Sequence, residues 1–438
     1  MEGFASNHDN PLRPDAQLSV GGQKDRPAQG RARRRPGLAQ EPIPHRHSLP
    51  PRDQVRWHAW RLCRPDGPPK KPSSYPGTGD LVEIGIVGLP NVGKSSLFNA
   101  LTGAGAAVEN FPFTTIEPNI GVVPLPDARL GRLAEEWASA KVTPAGIRFV
   151  DIAGIVQGAS EGQGLGNKFL AHIRSVDAIA HVVRCFKDDN VVNIMGELDP
   201  DSAVAIIETE LLLADIQQCQ RSLDKYSKVA KSGDKGAIAK CNVLNDAMKA
   251  FNEGRPARAL DLPKDILDEF QFLTGKPLLY VANTGEGQPD EGLLSPLRER
   301  ASKEGAALVT LCTKLEAEIV QLPPEERAAY YESAGITSPG LARLAQAGKD
   351  LLKLVCFFTA GPQETRAWLV GKGTSAVKAA GKIHTDIERG FIRAEIYRYA
   401  DLEKLGSYKA VQEKNLVTLE GKDYEMKDGD CAYFRFSV

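Results

Sequence analysis

The stretch GLPNVGKSS, residues 88–96, constrains this chain more than any other. It fits G-x-x-x-x-G-K-[S/T] in full. It also has the required context, with the apolar run VEIGIV before it and the helical pattern SSLFNALTG after it. A strand that enters a helix through such a loop aims backbone N–H groups and the helix N-terminus at one spot, a cradle for phosphate oxygens. Gly88 and Gly93 permit the tight course, and Leu89, Pro90, Asn91 and Val92 span the turn between them. Lys94 is the candidate catalytic lysine for the β- and γ-phosphates, and Ser95, followed by Ser96, offers a hydroxyl to Mg²⁺. A chance glycine-rich turn would not bring that strand and helix with it.

From residue 81 the chain alternates short apolar runs with helical patterns, so the predicted fold class is α/β with a parallel-rich sheet. Ligands of such sheets bind outside the carboxyl ends of the strands. IRFV ends at Asp151, where a carboxylate near Mg²⁺ belongs, and Gly154 follows in DIAG with an N–H free to sense a γ-phosphate. Gly158, Gly162, Gly164 and Gly166 then make either a nucleotide-ordered switch or merely a flexible loop. Thr115 in ENFPFTTIEPN is a candidate to close over the metal, although a plain surface loop explains it equally well. Ile155, after Gly154, stands where many hydrolytic switches place a water-orienting glutamine, so turnover should be slow.

The run PLLYVA ends at Asn283, followed by Thr284, Gly285 and Glu286. A guanine reader of this kind carries Asn-Lys-x-Asp, with the Asp accepting from the base and the Lys stem lying along it. Here Thr284 replaces the Lys and Glu286 replaces the Asp. The longer acid cannot occupy the same place without rearrangement, and a lost hydrogen-bond pattern is expensive in selectivity. The stretch argues against strict guanine recognition without by itself establishing adenine, which Asn283 and backbone groups would satisfy.

Residues 203–271 interrupt the alternation with two helical patterns around KSGDKGA, read as an antiparallel hairpin. Residues 221–240 hold six basic side chains against Asp224 and Asp234, a net of +4 that suits phosphate or is simply a solvated face. Beyond residue 353 the runs KLVCFFT, TRAWLVG, IRAEIYR and CAYFRFSV read as strands of a small α+β domain. The division is therefore 1–80, 81–202 with 272–352, 203–271, and 353–438. His384 reads as structural. Residues 1–79 carry 14 Lys/Arg against 7 Asp/Glu and 13 of 29 prolines, a composition of disorder. That bias resembles translated upstream sequence with the true start near Val82, an expectation that N-terminal mass spectrometry would test. Seven scattered cysteines without metal spacing point to reduced thiols and a cytoplasmic location. No apolar run reaches the roughly 20 residues of a membrane helix.

The stretches GIVGLPNVGKSSLFNALTGAG, NFPFTTIEPNIGVVPLPDARL, FVDIAGIVQGASEGQGLGNKFL, VDAIAHVVRCF, FFTAGPQETRAW and AAGKIHTDIERGFIRAEI resemble the YchF family of Obg-like P-loop ATPases over about residues 82–438. The resemblance implies a P-loop G domain, a coiled-coil-like helical insertion and a C-terminal TGS domain of β-grasp form. It implies ATP preferred over GTP, slow hydrolysis with Mg²⁺, and binding to the ribosome or its large subunit. rRNA contacts would run through the insertion and the TGS domain, with no membrane or DNA partner. The family's site maps onto Gly88 to Ser95, Thr115, Asp151, Gly154, Asn283 and Glu286. Two positions depart from it. Thr114 stands where the family often has a proposed redox-sensitive cysteine, and Asn193 where it commonly has a histidine; asparagine positions water but is no base near neutral pH. Two other readings stay open, a GTPase of ribosome assembly and a nucleotide-gated RNA or ribosome binder with negligible turnover.

Overall fold

The computed structural model describes residues 82–106, 119–152, 164–188, 190–192 and 198–437. Strand β1 (Glu83–Val87) buries Ile84, Ile86 and Val87 completely, as a strand covered on both faces must. It is followed by α1 (Lys94–Ala106), β2 (Ile120–Pro124), α2 (Ala128–Glu136), the two-residue β3 (Val142–Thr143) and β4 (Gly146–Asp151). Next come α3 (Gly164–Ser175), the wholly buried β5 (Ala178–Cys185), and the long helices α4 (Pro200–Ala230) and α5 (Lys235–Asn252). Short α6 (Lys264–Phe270) leads back to β6 (Leu278–Thr284), α7 (Glu291–Glu304) and β7 (Ala307–Leu311).

The first sheet has the order β2-β4-β1-β5-β6-β7. Every neighbouring pair is parallel except β2, which lies antiparallel on β4. The helix between those two strands explains the exception. Leu130 and Leu133 of α2 are buried among Cys356, Phe358 and Tyr397 of the second sheet, so α2 does not serve as a crossover on the first. Alternation in the sequence cannot reveal where a helix spends its apolar face.

Helix α4 starts at Pro200, three residues before the interruption read from the sequence. Asp199 caps it by accepting from the Asp201 N–H at 3.0 Å, and proline suits the first turn. Asp234 caps α5 through the Ala237 N–H at 2.7 Å. Leu212, Cys219, Leu244, Ala247 and Phe251 fill the seam of the hairpin, which Phe270 and Phe272 close.

After β7, helices α8 (Thr313–Ile319), α9 (Pro324–Ser333) and α10 (Gly340–Leu351) fold back, with Leu341 and Leu344 joining the core around Ile84 and Ile147. The second sheet then forms from β8 (Leu354–Thr359) and β9 (Thr365–Gly371). Helices α11 (Ala376–Ile383) and α12 (Thr385–Arg389) follow, then β10 (Phe391–Arg398). The chain ends with α13 (Tyr399–Leu405), α14 (Tyr408–Glu413), β11 (Thr418–Glu420) and β12 (Asp430–Phe436). Its order is β11-β10-β12-β8-β9-β3, so the edge strand β3 comes from the first half of the chain. Asp428 strengthens this union. It accepts from Arg129 at 2.7 Å and from the Cys356 N–H at 2.8 Å, with Lys349 at 3.3 Å. His384 caps α12, its Nδ1 accepting from the Asp386 N–H at 3.1 Å. The six described cysteines are free thiols, and no described helix is long and apolar enough to cross a membrane.

Candidate functional site

The loop between β1 and α1 turns on two residues with positive φ, Asn91 at 62° and Gly93 at 99°. A Cβ on Gly93 would lie 2.2 Å from Asn283 Nδ2, and one on Gly88 would lie 2.6 Å from the Val182 carbonyl. Neither position tolerates a side chain. Helix α1 has no acid in its first turn, so its N-terminal partial charge is unopposed, as an anion site requires. Lys94 donates to the carbonyls of Gly88 at 2.8 Å and Leu89 at 2.7 Å, which lays its ammonium across the loop.

Asp151 ends β4 opposite this ammonium. Burial lowers the Lys94 pKa, and the Asp151 charge opposes that fall. Burial raises the Asp151 pKa, and Lys94 opposes that rise. Each charge is the other's compensation in a partly dry site. The exposed Ser95 and the half-buried Asp151 are hard oxygen donors of the kind Mg²⁺ prefers, so the residues present fit that ion. Among the described residues no cluster of three or more His, Cys, Asp or Glu forms a metal cage.

A cavity of about 510 Å³ runs from Gly93, Lys94, Ser95 and Ser96 to Asn283, Thr284 and Glu286. The structure thus brings the P-loop together with the stretch from Asn283 to Glu286, the candidate base reader of the sequence. Asn283, 3 % exposed, does something the sequence did not suggest. Its Nδ2 donates to the Val92 carbonyl at 2.8 Å, and its Oδ1 accepts from the Thr313 N–H at 3.0 Å. The amide braces three loops and has little left for a base. Thr284 is buried opposite Cys185 in the sheet. Glu286 stands at the mouth in an ion pair with Lys314 at 2.9 Å, both side chains exposed. Thr115, Gly154, Ile155 and Asn193, with Thr114, lie outside the described residues.

Several contributors escaped the sequence reading. Lys314 and Cys312 line the cavity from the start of α8. Glu316 holds that helix by accepting from the Gly340 N–H at 2.6 Å and the Tyr331 hydroxyl at 2.7 Å. Phe186 walls the cavity opposite Gly285, where an added Cβ would lie 3.6 Å from that of Phe186. The only available signal was the position of RCF at the end of a buried strand.

A phosphate cradle at the carboxyl edge of a parallel-rich sheet, with a nucleoside-sized cavity leading from it, defines a P-loop nucleotide-binding G domain. A family model described as 50S ribosome-binding GTPase matches residues 83–214, and the YchF-GTPase_C model, described as a protein of unknown function, matches residues 354–437. The chain is 48% identical over 360 residues to the ribosome-binding ATPase YchF of Haemophilus influenzae, covering 81% of this chain and 99% of that protein. The Bacillus subtilis protein of the same name is 46% identical over 361 residues, with the same coverage. The solved Schizosaccharomyces pombe YchF GTPase superposes with a TM-score of 0.73 at 32% identity, over 83% of this chain and 100% of that one. This chain belongs to the YchF family. A Pyrococcus horikoshii GTP-binding protein, at 22% identity and a TM-score of 0.52, covers 81% of this chain and 100% of its own and shares the fold.

Proposed function

We propose that this protein is a Mg²⁺-dependent ATP-binding switch that hydrolyses ATP slowly and binds the ribosome in a nucleotide-dependent way. The observation that carries the reading is the 48% identity over almost the full length of relatives named ribosome-binding ATPases. The base end of the cavity supports it. Guanine needs a carboxylate free to accept from N1–H and N2–H₂, whereas Glu286 is occupied by Lys314. An exposed pair of this kind is weak, so it tilts the preference towards adenine without closing the cavity to guanine.

In this reading Lys94 and the loop amides hold the phosphates, Ser95, Asp151 and Thr115 hold Mg²⁺, and Gly154 senses the γ-phosphate. Bound Mg²⁺ would neutralise charge on the β- and γ-oxygens. Ile155 and Asn193 supply neither a glutamine nor a base, which fits slow turnover. We divide the chain into the G domain (81–202 and 272–352), the helical insertion (203–271) and a C-terminal TGS domain (353–438), the last two meeting rRNA.

The test is a parallel titration of the full chain with Mg·ATP and Mg·GTP by displacement of a fluorescent analogue. Tighter ATP binding, followed by phosphate release that rises on adding ribosomes, supports the proposal. GTP binding tighter by about tenfold, a difference of about 1.4 kcal/mol, would reassign the protein as a GTPase, the activity named in the Schizosaccharomyces pombe relative's title.

A further inference from the structure

We propose that Arg184 is a positioning residue that builds the wall against which the base of the bound nucleotide lies. The inference rests on the nucleotide-binding reading above and extends it to a residue that touches no phosphate. Arg184, on β5, is only 7 % exposed, and no carboxylate among the described residues pairs with it. Its guanidinium is committed to the segment that follows. Nε donates to the Phe186 carbonyl at 3.1 Å, Nη2 to the Asp188 carbonyl at 3.1 Å, and Nη1 to the Val191 carbonyl at 2.9 Å. The same group lies over the Phe186 ring, 4.7 Å from its centre.

A buried cation without a counter-ion is costly, and only a rigid fork with several donors makes these three bonds at once. What the bonds fix is the course of the loop, and therefore where Phe186 stands. The arginine covers one side of that ring, and Phe186 lines the cavity with its Cβ facing Gly285, next to Glu286. The phosphate cradle belongs to another loop. A direct hydrogen bond joins the two, Asn91 Nδ2 to the Val192 carbonyl at 3.3 Å, a distance at which such a bond is weak. Loss of Arg184 should therefore loosen the base and spare the phosphates.

The experiment measures, on the full chain by calorimetry, the affinities for Mg·ATP, Mg·GTP and inorganic tripolyphosphate with Mg²⁺. Four variants are compared with wild type: Arg184→Met, Arg184→Lys, Phe186→Ala and the Arg184→Met/Phe186→Ala double. A stacked base contributes enough that Arg184→Met should weaken the preferred nucleotide roughly 10- to 100-fold. Tripolyphosphate affinity should stay unchanged. Phe186→Ala should reproduce that loss, and the double variant should add little to either. Arg184→Lys should rescue poorly, because one ammonium cannot span three carbonyls. In turnover, KM should rise while kcat holds, the mark of binding lost equally from ground and transition states.

Equal weakening of nucleotide and tripolyphosphate, or additive losses in the double variant, would assign Arg184 a general structural role and overturn the proposal. Unchanged nucleotide affinity in Arg184→Met, with wild type binding normally, overturns it while leaving the nucleotide reading intact. A wild-type chain that binds neither nucleotide overturns both.

Discussion

At its root the α4–α5 hairpin is held by charge packed on charge, whereas at its tip charge stands in solvent. Arg258 and Arg300 share Glu208 and Glu304 at the root, with Arg300 Nε 2.8 Å and Arg258 Nη2 3.2 Å from Glu304. Tyr280 donates to Glu304 at 2.7 Å, and Asp201 meets Arg300 at 2.9 Å. Deeper still, Asp215 is 1 % exposed and accepts from the Leu273 N–H, the Thr274 N–H and the Thr274 hydroxyl at 2.7, 2.8 and 2.7 Å. At the tip, Lys228, Lys231 and Lys235 are exposed and form no ion pair among the described residues. The sequence count of +4 there falls to +3, because Glu269 of α6 meets Lys240 at 2.6 Å. The same residue types thus serve opposite ends: satisfied and half-dry they fix the lever, unpaired and wet they are free to meet a polyanion.

The sharpest break in that comparison is Asp215→Ala. It orphans three buried donors at about 1–3 kcal/mol each, and relief of a buried charge returns part of this. We expect a net loss of about 3 kcal/mol of stability in chemical denaturation. A loss below about 1 kcal/mol would show that the clamp is not what holds the hairpin. Glu208→Ala ranks next, at about 2 kcal/mol, because both arginines keep Glu304 as a partner. If it cost more than Asp215→Ala, the ion network rather than the carboxylate clamp would be the true anchor.

Two buried groups near the root should make its pH response nearly flat. His181 is held neutral, its pKa pushed down to about 3 by burial and by the cations Arg300, Lys94 and Arg258; Tyr280 is its ring neighbour. The unfolded chain takes up that proton near pH 6.5, so stability is lost as pH falls below 6.5, at about 1.4 kcal/mol per unit. Asp215 runs the other way. Burial outweighs its hydrogen bonds and raises it to about 6, so the folded chain takes up a proton first and gains stability as pH falls from about 6 towards 4. Between pH 6 and 4.5 the two nearly cancel. His181→Phe should then be stabilised by acid and Asp215→Asn destabilised by it, each read from denaturation midpoints across that window. Parallel slopes in the two variants would refute the pairing.

How much of this was legible depended on whether the chemistry is contiguous. Residues 88–96 and Asp151 read as a candidate phosphate site because a P-loop motif is one loop and its neighbour one strand end. Asn283 reads in the sequence as a candidate site residue but not as a brace, since its partners Val92 and Thr313 are defined only once three loops converge. Lys314 reads as an ordinary lysine of a charged helix until α8 carries it to Glu286. The root network was invisible for the same reason, its members being spread over α4, the segment before α6, β6 and α7. Strands β3 and β11, of two and three residues, are too short for any period to emerge.

The tip should yield the smallest change in stability and the clearest change in binding. The side chains of Lys228, Lys231 and Lys235 form no ion pair among the described residues, so the triple change to alanine should leave the melting temperature within measurement error. If these lysines meet rRNA phosphates, each contributes to counter-ion release. The slope of log affinity against log salt for ribosomes should then flatten by about 2 for three contacts, at roughly 0.7 each. A triple variant with an unchanged slope would make the tip a solvated surface and move the ribosome contact elsewhere on the chain. A variant that melts early would mean that root and tip are not separable after all.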